Sequence, residues 1–246
     1  MIGFFDSGIG GLEVMKRFRS KFPELDMVYF GDRANCPYGD KSGNEIRSLT
    51  ERWVAFLFEQ GASIVIIACN TGAAYAVRPL QNTLRTSWSS KQVLSVTIPG
   101  AEKAVEMGAK HIWVLATKAT VDAHVYQCHI ELLDPSVSIQ EVSASGLVNI
   151  LEAEARDVGK IREILAHSLT QFSPEIDTLI LGCTHYPMIQ AEIAQTWQQI
   201  HGTEIHIVDP AEEAAERFTS YIQRHPEFPL TYGGKETIFF SDASTA

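Results

Sequence analysis

The sequence predicts an α/β protein built from two similar halves with largely parallel sheets, related by an internal duplication. Three observations carry this reading. Short apolar runs alternate with segments whose apolar positions recur at helical spacing along nearly the whole chain. The strand pair ending at Asp6 and Cys69 is echoed by a pair ending at Thr117 and Cys183, at offsets of 111 and 114 residues. The runs Ile64-Val65-Ile66-Ile67-Ala68-Cys69 and Leu179-Ile180-Leu181-Gly182-Cys183 both read as buried parallel strands closing on a thiol.

Ile2–Phe5 is the first expected strand and Leu12–Phe22 the first helix, joined by a glycine-rich turn. Met27–Phe30 follows as a strand, then a Pro/Gly loop and the helix Asn44–Gln60. Ile64–Ala68 and Val93–Val96 flank the helix Ala73–Leu84. At Thr97-Ile98-Pro99-Gly100, Pro and Gly break the pattern, so a boundary is expected there. Beyond it come the helix Ala101–Met107 and the strands Ile112–Leu115 and Ser138–Val142. The helix Gly159–Phe172, the strand Thr178–Leu181, the helix Met188–Gln199 and the strand Glu204–Val208 complete the second half. Val208-Asp209-Pro210 opens the helix Pro210–Arg224, expected to return to the first half. The expected units are therefore 1–97 with 209–246, carrying Cys69, and 98–208, carrying Cys183.

At 246 residues the chain can bury a sizeable core, and 45% hydrophobic residues fit a folded globule. A net charge of −10 argues against nucleic acid or an anionic membrane as partner, since those need clustered Lys and Arg. No apolar stretch approaches the ~20 residues of a membrane span, and Ile2-Gly3-Phe4-Phe5 is too short for a signal segment. Four scattered cysteines in a chain of this size point to reduced thiols and a cytoplasmic location.

The thiols carry the chemistry. Each is followed by short polar residues able to cap a helix, Asn70-Thr71 and Thr184. A helix N-terminus lowers a cysteine pKa toward the reactive thiolate. Core packing is the competing reading for either cysteine alone, but packing does not require the polar residues repeated after both. Asp6-Ser7-Gly8-Ile9-Gly10-Gly11 offers backbone N–H groups to an anion, yet it fits neither a P-loop nor a dinucleotide fingerprint. Asp6 could hold a substrate ammonium, tune a thiol or cap the helix. Pro37-Tyr38-Gly39 is a turn whose backbone N–H groups could meet a carboxylate. Thr117 and Thr120 supply hydroxyls after a strand, with capping as the alternative. His185 stands two residues from Cys183, placed to support a thiolate or shuttle protons. No metal site is expected, because Cys-x-x-Cys and His-Glu-x-x-His are both missing. Cys36 and Cys128 are assigned to structure, with Cys36 expected to be exposed and oxidisable beside its loop.

Asp6-Ser7-Gly8, Pro37-Tyr38-Gly39, Ala68-Cys69-Asn70-Thr71, Thr117 with Thr120, and Gly182-Cys183-Thr184-His185-Tyr186-Pro187 together resemble the cofactor-independent glutamate racemases. The resemblance runs from Met1 to about Asp209, and Gly-Cys-Thr-His-Tyr-Pro is similar to the glutamate branch of the aspartate/glutamate racemase superfamily. It implies two facing α/β domains with a pseudo-twofold axis and an active site in the cleft between them. It implies racemisation of glutamate for peptidoglycan with no cofactor, in a protein that could form a homodimer. Cys69 would deprotonate D-glutamate and Cys183 L-glutamate, with Asp6, His185 and Glu152 assisting. Ser7, Pro37, Tyr38, Gly39, Asn70, Thr71, Thr117, Thr120, Thr184 and His185, with Asp6, would bind the substrate. This chain departs from the family where a Cys-Pro segment commonly precedes the acidic helper, and Gly72 replaces a residue with a side chain. It also shows no extension before the first strand of the kind tied to activation by a nucleotide precursor. Three other readings stand beside this one: an aspartate or broad-specificity racemase, a cysteine hydrolase using Cys183 and His185, and a non-catalytic binding protein.

Overall fold

The computed structural model describes residues 1–87, 90–173 and 175–242, so residues 88–89, 174 and 243–246 of the two expected units lie outside it. The first half comprises β1 (Ile2–Asp6), α1 (Gly11–Lys21), β2 (Met27–Gly31), α2 (Gly43–Glu59), β3 (Ile64–Ile67), α3 (Asn70–Ser87) and β4 (Gln92–Ser95). After α4 (Thr97–Glu106) come β5 (His111–Ala116), α5 (Lys118–Asp122), α6 (Val125–Leu133), β6 (Ser138–Ser143), α7 (Leu147–Glu152), α8 (Val158–Leu169), β7 (Thr178–Gly182), α9 (Gln190–His201) and β8 (His206–Val208). The chain then returns through α10 (Pro210–Arg224) and β9 (Glu236–Phe240).

Two parallel sheets result, ordered β4-β3-β1-β2-β9 and β6-β5-β7-β8. Read from its other edge, the second sheet is β8-β7-β5-β6, which repeats the order β4-β3-β1-β2. The duplication read from the cysteine runs thus extends to topology. Side chains on successive residues enter opposite cores: Phe5, Val65 and Ile67 face one, while Ile2, Phe4, Ile64 and Ile66 face the other. The second sheet splits the same way, with Leu115, Leu179 and Leu181 on one face and Val114, Ala116 and Ile180 on the other. Burial on both faces is why these strands read as unbroken apolar runs.

Thr97–Gly100 is the first turn of α4 and not a break in the helical pattern. A helix tolerates proline there because the first turn's N–H groups have no partner within the helix. α10 packs on α1, with Phe218 in edge contact with Phe18 at 5.3 Å and Phe22 at 5.5 Å. Asp209 caps it by accepting from the Ala211 N–H at 2.9 Å. β9, α5, α6 and α7 are additional to the expected elements. Among them α5 and α7 are too short to show periodicity, and His124, at φ +50°, separates α5 from α6. No helix among the described residues is long and apolar enough to cross a membrane.

Candidate active site

The carboxyl ends of strands from both sheets converge on one small, tightly closed cavity. Ser7 follows β1, Pro37-Tyr38-Gly39 follow β2 and Cys69-Asn70-Thr71 follow β3. Across from them, Thr117 follows β5 and Cys183-Thr184-His185 follow β7. Val148, on α7, also lines the cavity; sequence reasoning passed it over because α7 is a single short helix. A larger open groove among α3, α4 and α6 brings neither thiol together with other polar groups.

Cys69 is the residue before α3, and its sulfur accepts the Gly72 N–H at 3.3 Å, as a serine N-cap would. Ser7 Oγ lies 3.4 Å away. The expected lowering of its pKa is not what this environment produces. Burial, with the Asp6 carboxylate nearby, outweighs both hydrogen bonds and pushes the thiol up to about 12.

Cys183 departs from the expected helix N-terminus. Tyr186–Ile189 forms a 3-10 turn after it, and α9 begins only at Gln190. Its neighbour is instead His185, whose Nδ1 lies 3.7 Å from Cys183 Sγ and whose Nε2 lies 2.5 Å from Glu152 Oε1. Burial disfavours the imidazolium, but the hydrogen bonds to Cys183 and Glu152 prevail and raise its pKa to about 10. Glu152 responds in the complementary sense. Burial works against its charge, yet bonds from His185 and the Ile9 N–H lower its pKa. The imidazolium so held lies beside the Cys183 sulfur.

Two N–H groups of the glycine-rich turn are taken by carboxylates of the protein itself. Asp6 Oδ2 takes the Gly8 N–H at 3.0 Å, and Glu152 takes the Ile9 N–H at 2.8 Å. The glycines allow close approach of the halves: a Cβ on Gly10 would stand 2.6 Å from Thr184 Oγ1 and 2.8 Å from His185 Nδ1. Asp6 is fully buried behind the cavity, where burial raises its pKa and Oδ1 accepts the Thr184 hydroxyl at 3.2 Å. It thus stands between the turn and the second half's site residues.

Thr71, Thr117 and Thr120 form a closed ring of hydroxyls at 2.8 to 3.0 Å across the two halves. Thr117 both caps α5 and lines the cavity, whereas Thr120 sits behind it. Tyr126, another residue missed in the sequence, donates to Asn70 Oδ1 at 2.6 Å and fixes the amide. Cys36 is half-buried against the second half's core, and burial, with Glu152 and Asp6 nearby, raises its pKa; it is not the exposed thiol expected. Cys128 is exposed on α6. Among the described residues, no three His, Cys, Asp or Glu side chains cluster so as to hold a metal ion.

Residues 14–217 match the sequence profile of the Asp/Glu/Hydantoin racemase family. The glutamate racemase of Lactobacillus acidophilus is 36% identical over 225 residues, covering 91% of this chain and 81% of that protein. Glutamate racemase isoform RacE1 of Bacillus anthracis superposes with a TM-score of 0.85 at 29% identity, covering 100% of this chain and 90% of that one. The Francisella tularensis glutamate racemase, solved in complex with D-glutamate, also gives a TM-score of 0.85 at 29% identity, with 98% and 88% covered.

Proposed function

The chain belongs to the Asp/Glu/Hydantoin racemase family, and from that premise we propose that it is a glutamate racemase, an isomerase supplying D-glutamate for peptidoglycan. One observation carries the assignment of roles: Cys69 and Cys183, from equivalent strand ends of the duplicated halves, line a single cavity.

Racemisation needs a base on one face of the α-carbon and an acid on the other. In the D-to-L direction the Cys69 thiolate takes the α-proton and the Cys183 thiol delivers one to the opposite face; the L-to-D direction exchanges the roles. Each turnover leaves the protonation states swapped, so a proton must return before the next, and His185 with Glu152 is the path on the Cys183 side. Cys69 lacks a comparable cation of its own, and the substrate ammonium supplies the positive charge that burial and Asp6 make necessary. Ser7, Pro37, Tyr38, Gly39, Asn70, Thr71, Thr117 and Thr184 hold the two carboxylates and the ammonium, with Asp6 and Thr120 bracing them. Hydrogen bonds to the α-carboxylate strengthen as carbanion charge develops in a cavity this small. We infer a cytoplasmic enzyme, one that could form a homodimer.

Proton NMR in deuterated water tests this reading. Loss of the α-proton signal of L-glutamate with formation of D-glutamate supports it; exchange of aspartate in preference to glutamate would move the substrate, and exchange of neither would sink it.

Two further expectations arise here. Gly10→Ala drives a methyl into Thr184 and His185, so kcat should fall roughly 100-fold, as displacement of a catalytic group by about 1 Å can do. Unchanged kcat with an intact circular dichroism spectrum would show that this close approach is not needed. Units 1–97 with 209–246, and 98–208, should close on substrate, and saturating glutamate should contract the small-angle scattering profile. Superimposable profiles would count against closure.

A further inference from the structure

The substrate loop after β2 is held from an unexpected direction. Asp32 is fully buried, and its carboxylate accepts the Tyr38 hydroxyl at 2.6 Å, the Ser241 hydroxyl at 2.6 Å, and the Asn35 side-chain amide at 3.0 and 3.1 Å. Ser241 Oγ in turn accepts the Ala34 N–H at 3.0 Å. Ser241 is itself buried and follows β9 directly, where its N–H donates to the Gly31 carbonyl at 3.0 Å. A residue 209 positions from Asp32 thus closes the hydrogen-bond network at the base of the loop that carries Tyr38 and Gly39 to the cavity.

The local packing gives Ser241 one placement. β9 lies parallel on β2 with Phe240 paired to Gly31, Phe240 packs on Tyr29 with ring centroids 6.0 Å apart, and Arg33 stands over the Phe240 ring at 5.5 Å. A Cβ on Gly31 would collide with the Phe240 ring and the Gly8 carbonyl, so this approach needs a glycine there. Without the Ser241 hydroxyl, a buried carboxylate loses one of its short bonds and the Ala34 N–H loses its acceptor. The groups left to answer that loss are Tyr38 and Asn35, both on the loop.

We propose that Ser241, acting through Asp32, is a positioning residue for the substrate loop, setting where Tyr38 and Gly39 meet a substrate carboxylate. This rests on the glutamate racemase reading for the identity of the substrate. Ser241 touches neither reacting carbon nor thiol. Its contribution is made equally to bound substrate and transition state, so its loss appears in KM with kcat preserved.

The test compares the full-length wild type with Ser241→Ala and Ser241→Thr, following racemisation of glutamate and thermal unfolding. Losing one hydrogen bond to a charged group predicts that Ser241→Ala raises KM about tenfold with kcat within about twofold. Ser241→Thr keeps the hydroxyl and should restore the wild-type KM. An unchanged KM in Ser241→Ala, or equal losses of kcat in both variants, overturns the positioning role. Should Ser241→Ala not fold, a raised KM in Asn35→Ala, which removes another bond to Asp32, supports the role and an unchanged KM overturns it. A wild type that racemises no glutamate overturns the functional reading instead, so the two failures are distinct.

Discussion

Cys69→Ser and Cys183→Ser should each lower the inversion of glutamate by about a thousandfold or more, in both directions. A hydroxyl is far too weakly acidic to serve as the thiolate did, and every turnover uses one sulfur as base and the other as acid. Loss of either therefore stops D-to-L and L-to-D conversion alike. The fold should survive, because a serine at 69 keeps an acceptor for the Gly72 N–H and a partner for Ser7. Unfolding midpoints close to wild type alongside lost inversion would establish the two-thiol mechanism. Full activity in Cys69→Ser would eliminate it and leave Cys183 with His185 as a hydrolase-like pair.

Glu152→Gln should produce the second large effect, on pH dependence. The amide oxygen can still accept from His185 and the Ile9 N–H, so geometry is retained while the negative charge is removed. Hydrogen bonds to Cys183 and Glu152 outweigh burial and raise the wild-type His185 pKa to about 10, so the ring should stay protonated through neutral pH. Removing a carboxylate partner should bring the alkaline limb of the kcat profile down by about one to three pH units. The sign for stability is fixed by the same shifts. The His185 pKa is raised above the ordinary imidazole value of 6.5, so its stabilisation is complete below that pH and is lost as pH rises through about 10. The Glu152 pKa is lowered from 4.5, so its share is present above that pH and lost on acidification. The wild type should therefore lose more of its unfolding midpoint between pH 7 and 10 than Glu152→Gln does. Identical alkaline limbs in the two proteins would show that Glu152 does not set the charge on His185.

Much of the candidate site was legible because its residues sit at strand ends in repeated motifs. Cys69, Asn70, Thr71, Cys183, Thr184, His185, Ser7 and the Pro37-Tyr38-Gly39 loop all follow apolar strands, and all line the cavity. Glu152 was reached only through family resemblance, since nothing in its local sequence points to a histidine 33 residues away. Val148, Tyr126 and Ser241 were invisible for a related reason. Each acts across a long sequence separation, from a short helix, a helix whose start follows a left-handed residue, and the end of a half-exposed edge strand. α7 is too short for periodicity to declare it, and β9, half-exposed along its length, is not a run of apolar residues like the strands buried on both faces.

By itself the sequence determined the α/β class, the duplication and the two strands that end in thiols, because each depends on local alternation and on apolar runs buried from both sides. Tertiary structure alone decided the electrical state of the site. The Gly8 and Ile9 N–H groups of the glycine turn go to Asp6 and Glu152, burial beside Asp6 pushes the Cys69 pKa up, and Cys183 has the His185 ring beside it in place of a helix N-terminus. Those outcomes turn on which charges meet across the two halves and how completely water is excluded, and neither quantity is local in the chain.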